Sequence, residues 1–482
     1  MSAHEVPDGL MVSGLRTRRS FGMGNLSKEA TIGAAAVLTA DGLIGVRHPA
    51  SLLVTLPLTG AVVGLAAVRR HGMSALSYYR AKLAWQRGYR TGTTSYRRVL
   101  LPQPYVLDLP GVGASSSLIA AHDPTSGRKV GVVHDRTTGR MTVSTLLAPR
   151  GSLMAPTSAV RSGLRTWGEV LNTMSTAEQI KGASVTIQIT PGAGEALADD
   201  VQHRRRPDAP RLALDVIDEL VRTTPRATAQ VASWLSVTVD PRATANPPTD
   251  LAEQVGETLR VVDTLDLSGT GTDIVRRTTP TDLRRIVRSA YDPGVALARD
   301  EQFDELQWGD CGPIAADDWV ESYAHDGAVS ASWVLQEMPR RPIPYSTLLP
   351  LLAPGRFRRR ITLGYRVLDP HEGEALLERE ISAAEHRAQA TAEVKGRARW
   401  SQKADYQRAE QAARQVAGGA QVVDWTLWVT VTADKPSDLP AAQQELKLAV
   451  AGTRGIRMRP AFGAQAAVFA AGLPIGYNPL VK

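Results

Sequence analysis

The sequence predicts an α+β protein in which an N-terminal two-helix transmembrane hairpin precedes a large soluble domain. Three observations predict it: two long apolar stretches near the start, a basic surplus confined to their flanks, and repeated period-two apolar strands alternating with amphipathic helical patterns. At 482 residues, 43% hydrophobic and 22% charged, the chain is a folded protein of two or three structural units.

The hairpin comes first. Residues 30–46 contain one charge, Asp41, and residues 51–68 contain none. Only Arg47-His48-Pro49-Ala50 separates them, so the second stretch must turn back on the first. Each is near the lower limit of about 17 residues for a bilayer span. Asp41 lies five residues from Val46, within reach of the interface or of the partner helix. Two adjacent apolar stretches are not the pattern of a cleaved secretory signal. Gly60 and Gly64 supply a small-xxx-small face for close helix approach, or simply belong to a Gly/Ala-rich span.

Charge gives the hairpin an orientation. The net charge is +8, yet residues 1–100 hold 13 Lys and Arg against Glu5, Asp8, Glu29 and Asp41, while the remainder holds 43 against 44. Arg16, Arg18 and Arg19 precede the pair and Arg69-Arg70-His71 follow it. Positive residues gather at cytoplasmic helix ends, so both termini and the bulk of the chain are expected in the cytoplasm of a cell with the hairpin in its inner (plasma) membrane. Next, Met73–Arg90 interleaves Leu76, Tyr79 and Leu83 with Arg80, Lys82, Arg87 and Arg90, and adds Tyr78 and Trp85. This predicts a juxtamembrane helix with rings at headgroup depth and cations on lipid phosphates; a plain linker helix is the alternative.

Residues 101–150 read as a small β-meander, its turns at Asp123-Pro124-Thr125-Ser126-Gly127 and Arg136-Thr137-Thr138-Gly139. Residues 151–482 read as a larger α+β domain. Its strands run through Val185, Ile187 and Ile189; Leu235, Val237 and Val239; Val329, Ala331 and Trp333; Ile361, Leu363 and Tyr365; and Leu427, Val429 and Val431. Val237–Asp240 followed by Asp250-Leu251 rhymes with Val431–Asp434 followed by Asp438-Leu439, as ferredoxin-like strand–helix–strand units or an internal duplication would require. From Glu372 to about Ala417 the composition predicts long helices in an exposed arm.

Sites were sought by their chemistry. A nucleotide-hydrolysing loop needs a Gly-Lys pair, which is absent from the sequence. Gly111-Val112-Gly113 and Gly269-Thr270-Gly271 lack the third glycine of a dinucleotide turn and read as loops. His371-Glu372-Gly373-Glu374-Ala375 has Ala375 where a second zinc ligand would stand. Cys311 is the single cysteine; with His325 and Asp326 it is expected to form a packed thiol and a solvent-facing pair pointing to opposite sides of a strand. Arg204-Arg205-Arg206 and Arg358-Arg359-Arg360 read as solvated loops or strand ends, with direct nucleic-acid binding disfavoured. No catalytic, cofactor or metal residue is expected.

At the C-terminus, Gly463-Ala464-Gln465 runs through Phe469 to Leu473-Pro474-Ile475-Gly476, after Arg457-Met458-Arg459-Pro460. This succession resembles the end of the amino-terminal domain of the VirB/CagE/TrbE conjugation ATPases, without their motor. The hairpin followed by Ala81-Lys82-Leu83-Ala84-Trp85 is similar to the PrgI-like membrane subunit of the same machines. Trp308–Pro313 and Tyr323–Ser330 resemble the middle of an actinobacterial family fusing the two parts. The resemblance implies a non-enzymatic inner-membrane scaffold of a type IV secretion or conjugation apparatus, in contact with lipids, other membrane subunits and a separate docked ATPase, within a hetero-oligomeric complex. A type VII secretion membrane component and a membrane-tethered hydrolase are the alternatives.

Overall fold

In the computed structural model the described residues are 73–98, 108–151, 155–191, 209–223, 229–295, 300–337, 343–368, 422–453 and 455–480, with scattered residues elsewhere. Residues 30–46 and 51–68 lie outside them except Thr39, Pro57 and Gly60, as does most of the predicted arm. Among the described residues no helix is long and apolar enough to cross a membrane.

The protein is a mixed α+β structure built on one thirteen-stranded sheet. After helix α1 (Ala75–Thr91) and strand β1 (Ser95–Arg97) come β2 (Ser116–His122), β3 (Lys129–Asp135) and β4 (Met141–Pro149). These last three are the expected meander. Its two turns are built alike: Asp123 accepts from Thr125 N and Ser126 Oγ before Gly127 at φ +66, and Asp135 accepts from Thr137 N and Thr138 Oγ1 before Gly139 at φ +70. The meander shares the large sheet, because β4 pairs with a strand of the following segment.

That segment continues with α2 (Thr157–Thr176), β5 (Ile180–Pro191), α3 (Arg211–Thr223), β6 (Ala229–Val239), α4 (Leu251–Asp263), β7 (Thr272–Arg277) and α5 (Pro280–Tyr291). Local chemistry sets the helix starts. Asp250 accepts from Ala252 N ahead of α4, while Thr279 and Asp282 form a capping box around Pro280 at the head of α5. The chain then repeats the order: β8 (Ala315–Asp318), β9 (Tyr323–His325), β10 (Ala328–Glu337), one-turn α6 (Leu349–Leu352), β11 (Arg358–Val367), β12 (Val423–Ala433), α7 (Leu439–Gly452), β13 (Arg457–Pro460) and α8 (Gln465–Ala471).

Both halves follow one connectivity. In the first, β7-β4-β6-β5 lie side by side; in the second, β13-β10-β12-β11 do. Apart from α3, inserted between β5 and β6 of the first half, each is β-α-β-β-α-β with spatial order 4-1-3-2. The halves join where β5 pairs antiparallel with β11, and Thr186 and Thr362 face each other across the join with hydroxyls 2.9 Å apart.

Alternation gives the sheet two different faces. One carries the predicted apolar residues and is covered by α2 and α4 in the first half, through Val170, Met174 and Leu259, and by α6 and α7 in the second, through Leu351, Ala442 and Leu446. The other face is a buried ladder of hydroxyls. Its cross-strand pairs are Ser144–Ser236 at 2.8 Å, Ser332–Thr430 at 2.9 Å and Ser330–Thr432 at 2.8 Å. Pairing satisfies groups whose burial would otherwise cost about 1–3 kcal/mol each. Helices α5 and α8 lie on this side, packing Leu283, Val287 and Phe469 around Tyr291 and Tyr323.

Three sequence expectations change here. Arg358, Arg359 and Arg360 are not solvated: they form the start of β11 and are 9%, 3% and 4% exposed. Arg358 Nη1 donates to Ser289 O, Arg359 binds Leu351 O and Glu445, and Arg360 Nε donates to Gln188 Oε1. The strand-end reading holds, but their partners come from distant segments, so the run looked solvated in sequence. His325 and Asp326 do not form a solvent-facing pair either, since His325 is 1% exposed and Asp326 is tied to Arg288 at 2.8 Å. Finally, Trp85 and Tyr78 of α1 face protein. Trp85 Nε1 donates to Asp318 O at 2.6 Å, and Tyr78 packs edge-on against Phe462 at 5.4 Å.

Candidate functional site

The hydroxyl face is fully roofed over the second half but leaves a cleft over the first. Sheet register explains the difference. In the second half Arg358 and Arg360 lie opposite Thr432 and Thr430; the same places in the first half, opposite Thr238 and Ser236, are taken by Gly182 and Ser184. The arginines fill their side with long chains that reach α5 and α8. Glycine and serine leave space.

The resulting cleft has a volume of about 330 Å³. Its floor is Thr142, Thr238, Ser184 and Gly182, with the Thr142 and Thr238 hydroxyls 3.0 Å apart. One rim is the β3–β4 turn, bearing Asp135, Thr138 and Arg140, with Val112 and Ser115 beside it. Burial pushes the Asp135 carboxyl up, but hydrogen bonds from Thr138, Ser115 and the backbone of Thr137 outweigh burial and hold it below its ordinary value.

The opposite wall is the chain after α8. Leu473 and Ile475 are 2% and 5% exposed, and Asn478 Nδ2 donates to Tyr365 O at 3.0 Å. Gly476 turns with φ +78, and a Cβ there would overlap Thr142 Oγ1. The Leu-Pro-x-Gly pattern thus has a local physical reason: two apolar anchors, and a glycine where the backbone is left-handed and presses on the sheet.

The other candidates fall elsewhere. Gly111-Val112-Gly113 is a single 3₁₀ turn at the cleft edge, and Gly269-Thr270-Gly271 is a loop with both glycines at positive φ. Of His371–Ala375, His371 and Glu374 are outside the described residues. Arg205 pairs with Asp218 at 2.9 Å, and Arg204 is outside the described residues. Cys311 is buried in a 3₁₀ turn, where burial pushes its thiol up to about 12. Among the described residues no group of His, Cys, Asp and Glu is arranged to hold a metal ion.

Sequence reasoning missed one polar cluster. His325 contacts Ser330 Oγ at 2.8 Å and Tyr291 O at 2.6 Å, and Ser330 contacts Thr432. Burial lowers the imidazole to about 4, so it is neutral at physiological pH. The pair resembles a base and nucleophile in isolation. Yet Ser330 is 0% exposed and the ring is enclosed by Tyr291, Tyr323 and Phe469, so no substrate reaches it in this conformation. A Tyr-x-His before a Ser-rich strand is the only signal the sequence offers.

Arg360 sits above this cluster. Its guanidinium lies 5.2 Å from the Phe469 ring, it has no ion-pair partner among the described residues, and burial followed by Arg358 holds it down at about 9. Asp318 is also strongly shifted. Burial raises it to about 6 beneath α1, although Ala466 N donates to it. Compared with known proteins, the chain matches no family model and no curated sequence.

Proposed function

We propose that the chain is a non-enzymatic scaffold of a type IV secretion or conjugative DNA-transfer apparatus. In this reading residues 30–46 and 51–68 form a two-helix hairpin in the inner (plasma) membrane, with both termini in the cytoplasm. The two β-α-β-β-α-β halves are ferredoxin-like units fused into one platform, on which a separate ATPase docks.

The observation that carries the reading is the seat of Leu473-Pro474-Ile475-Gly476. In the family resembled, this element leads from platform to motor. Here it is anchored on the sheet by Leu473 and Ile475 and locked by Gly476 against Thr142. The element packs as part of the platform, which is compatible with a scaffold that carries its motor on another chain. The sequence contributes the rest: the hairpin, its basic flanks and the absence of any Gly-Lys phosphate loop.

Nucleotide turnover by the purified full chain tests the non-enzymatic part. The expected result is none above the detergent blank. Robust hydrolysis by the protein alone would overturn it.

A further inference from the structure

We propose that α1 and the β8–β9 turn together form a surface that lies against a bilayer carrying anionic lipid. This rests on reading residues 30–46 and 51–68 as membrane helices. At 3.6 residues per turn, Tyr79, Leu83, Gln86 and Arg90 stand in one row along α1. Tyr79 is 48% and Leu83 54% exposed. Lys82 and Tyr89 border the row on one side, Arg80 and Arg87 on the other. The helix has no Asp or Glu in its 17 residues. Its four cations have no ion-pair partner among the described residues.

A residue far along the chain extends this face. Trp319, in the β8–β9 turn, has its ring 6.3 Å from Tyr89 and 6.1 Å from Trp85, and is 45% exposed. Nearby acids are mostly removed from play: Asp317 is engaged by Arg97 at 2.9 Å, and Asp318 is half-buried and accepts from Ala466 N. Glu321 is exposed. Rings with polar edges, a central Leu and flanking guanidinium groups fit the headgroup layer, where apolar bodies reach the acyl boundary and cations meet phosphates.

Cations and aromatic rings also suit single-stranded nucleic acid. Chain length favours the membrane. Six residues separate the uncharged stretch 51–68 from Ala75, a reach of at most about 25 Å. Because Trp85 and Tyr78 clamp α1 to the domain, lipid contact would also fix the tilt of the whole sheet.

The test is hydrogen exchange on the full chain in nanodiscs of phosphatidylcholine, with and without phosphatidylglycerol. Peptides covering 75–91 and 316–322 should exchange about tenfold more slowly in the anionic discs. That protection should fall with salt and vanish in the double variant Arg80→Glu, Arg87→Glu, whose altered side chains face solvent. Trp319→Ala should weaken it at 316–322. Equal exchange in both discs by an inserted protein would refute the surface alone. Protection by single-stranded DNA in micelles, with none from lipid, would also refute it. A chain that fails to insert overturns the membrane reading as well.

Discussion

Replacing Gly476 by Ala probes how firmly the C-terminal segment is built into the sheet. Gly476 has φ +78, where an L-residue costs about 1–2 kcal/mol. The new methyl would also overlap Thr142 Oγ1 and come within 3.2 Å of Thr142 Cβ. Overpacking of this kind costs about 1–3 kcal/mol more. The total of about 2–5 kcal/mol should appear as a lower denaturation midpoint and faster hydrogen exchange across 473–480. The two contributions separate in a double-mutant cycle with Thr142→Ala, which removes Oγ1 and leaves the backbone conformation as it was. In that background Gly476→Ala should cost only about 1–2 kcal/mol. Additive effects of the two substitutions would show that the segment does not press on the sheet, and the reasoning about the Leu-Pro-x-Gly element would fail.

Other predictions follow from buried charges. Asp318 titrates at about 6 when folded, above the ordinary carboxyl value of about 3.9, so the folded state binds its proton more tightly. Its contribution is complete below about pH 4 and is lost as pH rises through 6, by about 3 kcal/mol at most. Asp318→Asn should therefore raise the midpoint at pH 7.5 and flatten its change between pH 4 and 7; an unchanged pH profile would contradict the assignment. Glu445→Ala leaves the buried Arg359 without its carboxylate at 2.8 Å, and should cost about 3–5 kcal/mol in denaturant melts. Cys311, buried with its thiol pushed up to about 12, should resist maleimide until the chain unfolds, as mass spectrometry would show.

Much of the sheet was legible in sequence because each core strand keeps strict alternation: Val185, Ile187 and Ile189 on β5, or Leu427, Val429 and Val431 on β12. The rhyme of Val237–Asp240 with Val431–Asp434 marks equivalent strand ends in the two halves. The wider correspondence was hidden because β8 and β9 have only four and three residues, too few for a periodic pattern. Arg358–Arg360 misled for another reason. Alternation sends Arg358 and Arg360 to one face and Arg359 to the other, and Ser289 O, Gln188 and Glu445 come from segments no local reading connects. The cleft was invisible for the same cause, since it depends on Gly182 and Ser184 standing where the other half has arginines.

Affinity recovery from detergent-solubilised membranes, using a tagged full-length chain in its own host, tests the central claim most directly. The account predicts that a Walker-motif ATPase co-purifies together with other membrane subunits. Recovery of the chain alone in the soluble fraction, with neither membrane nor ATPase, would contradict it.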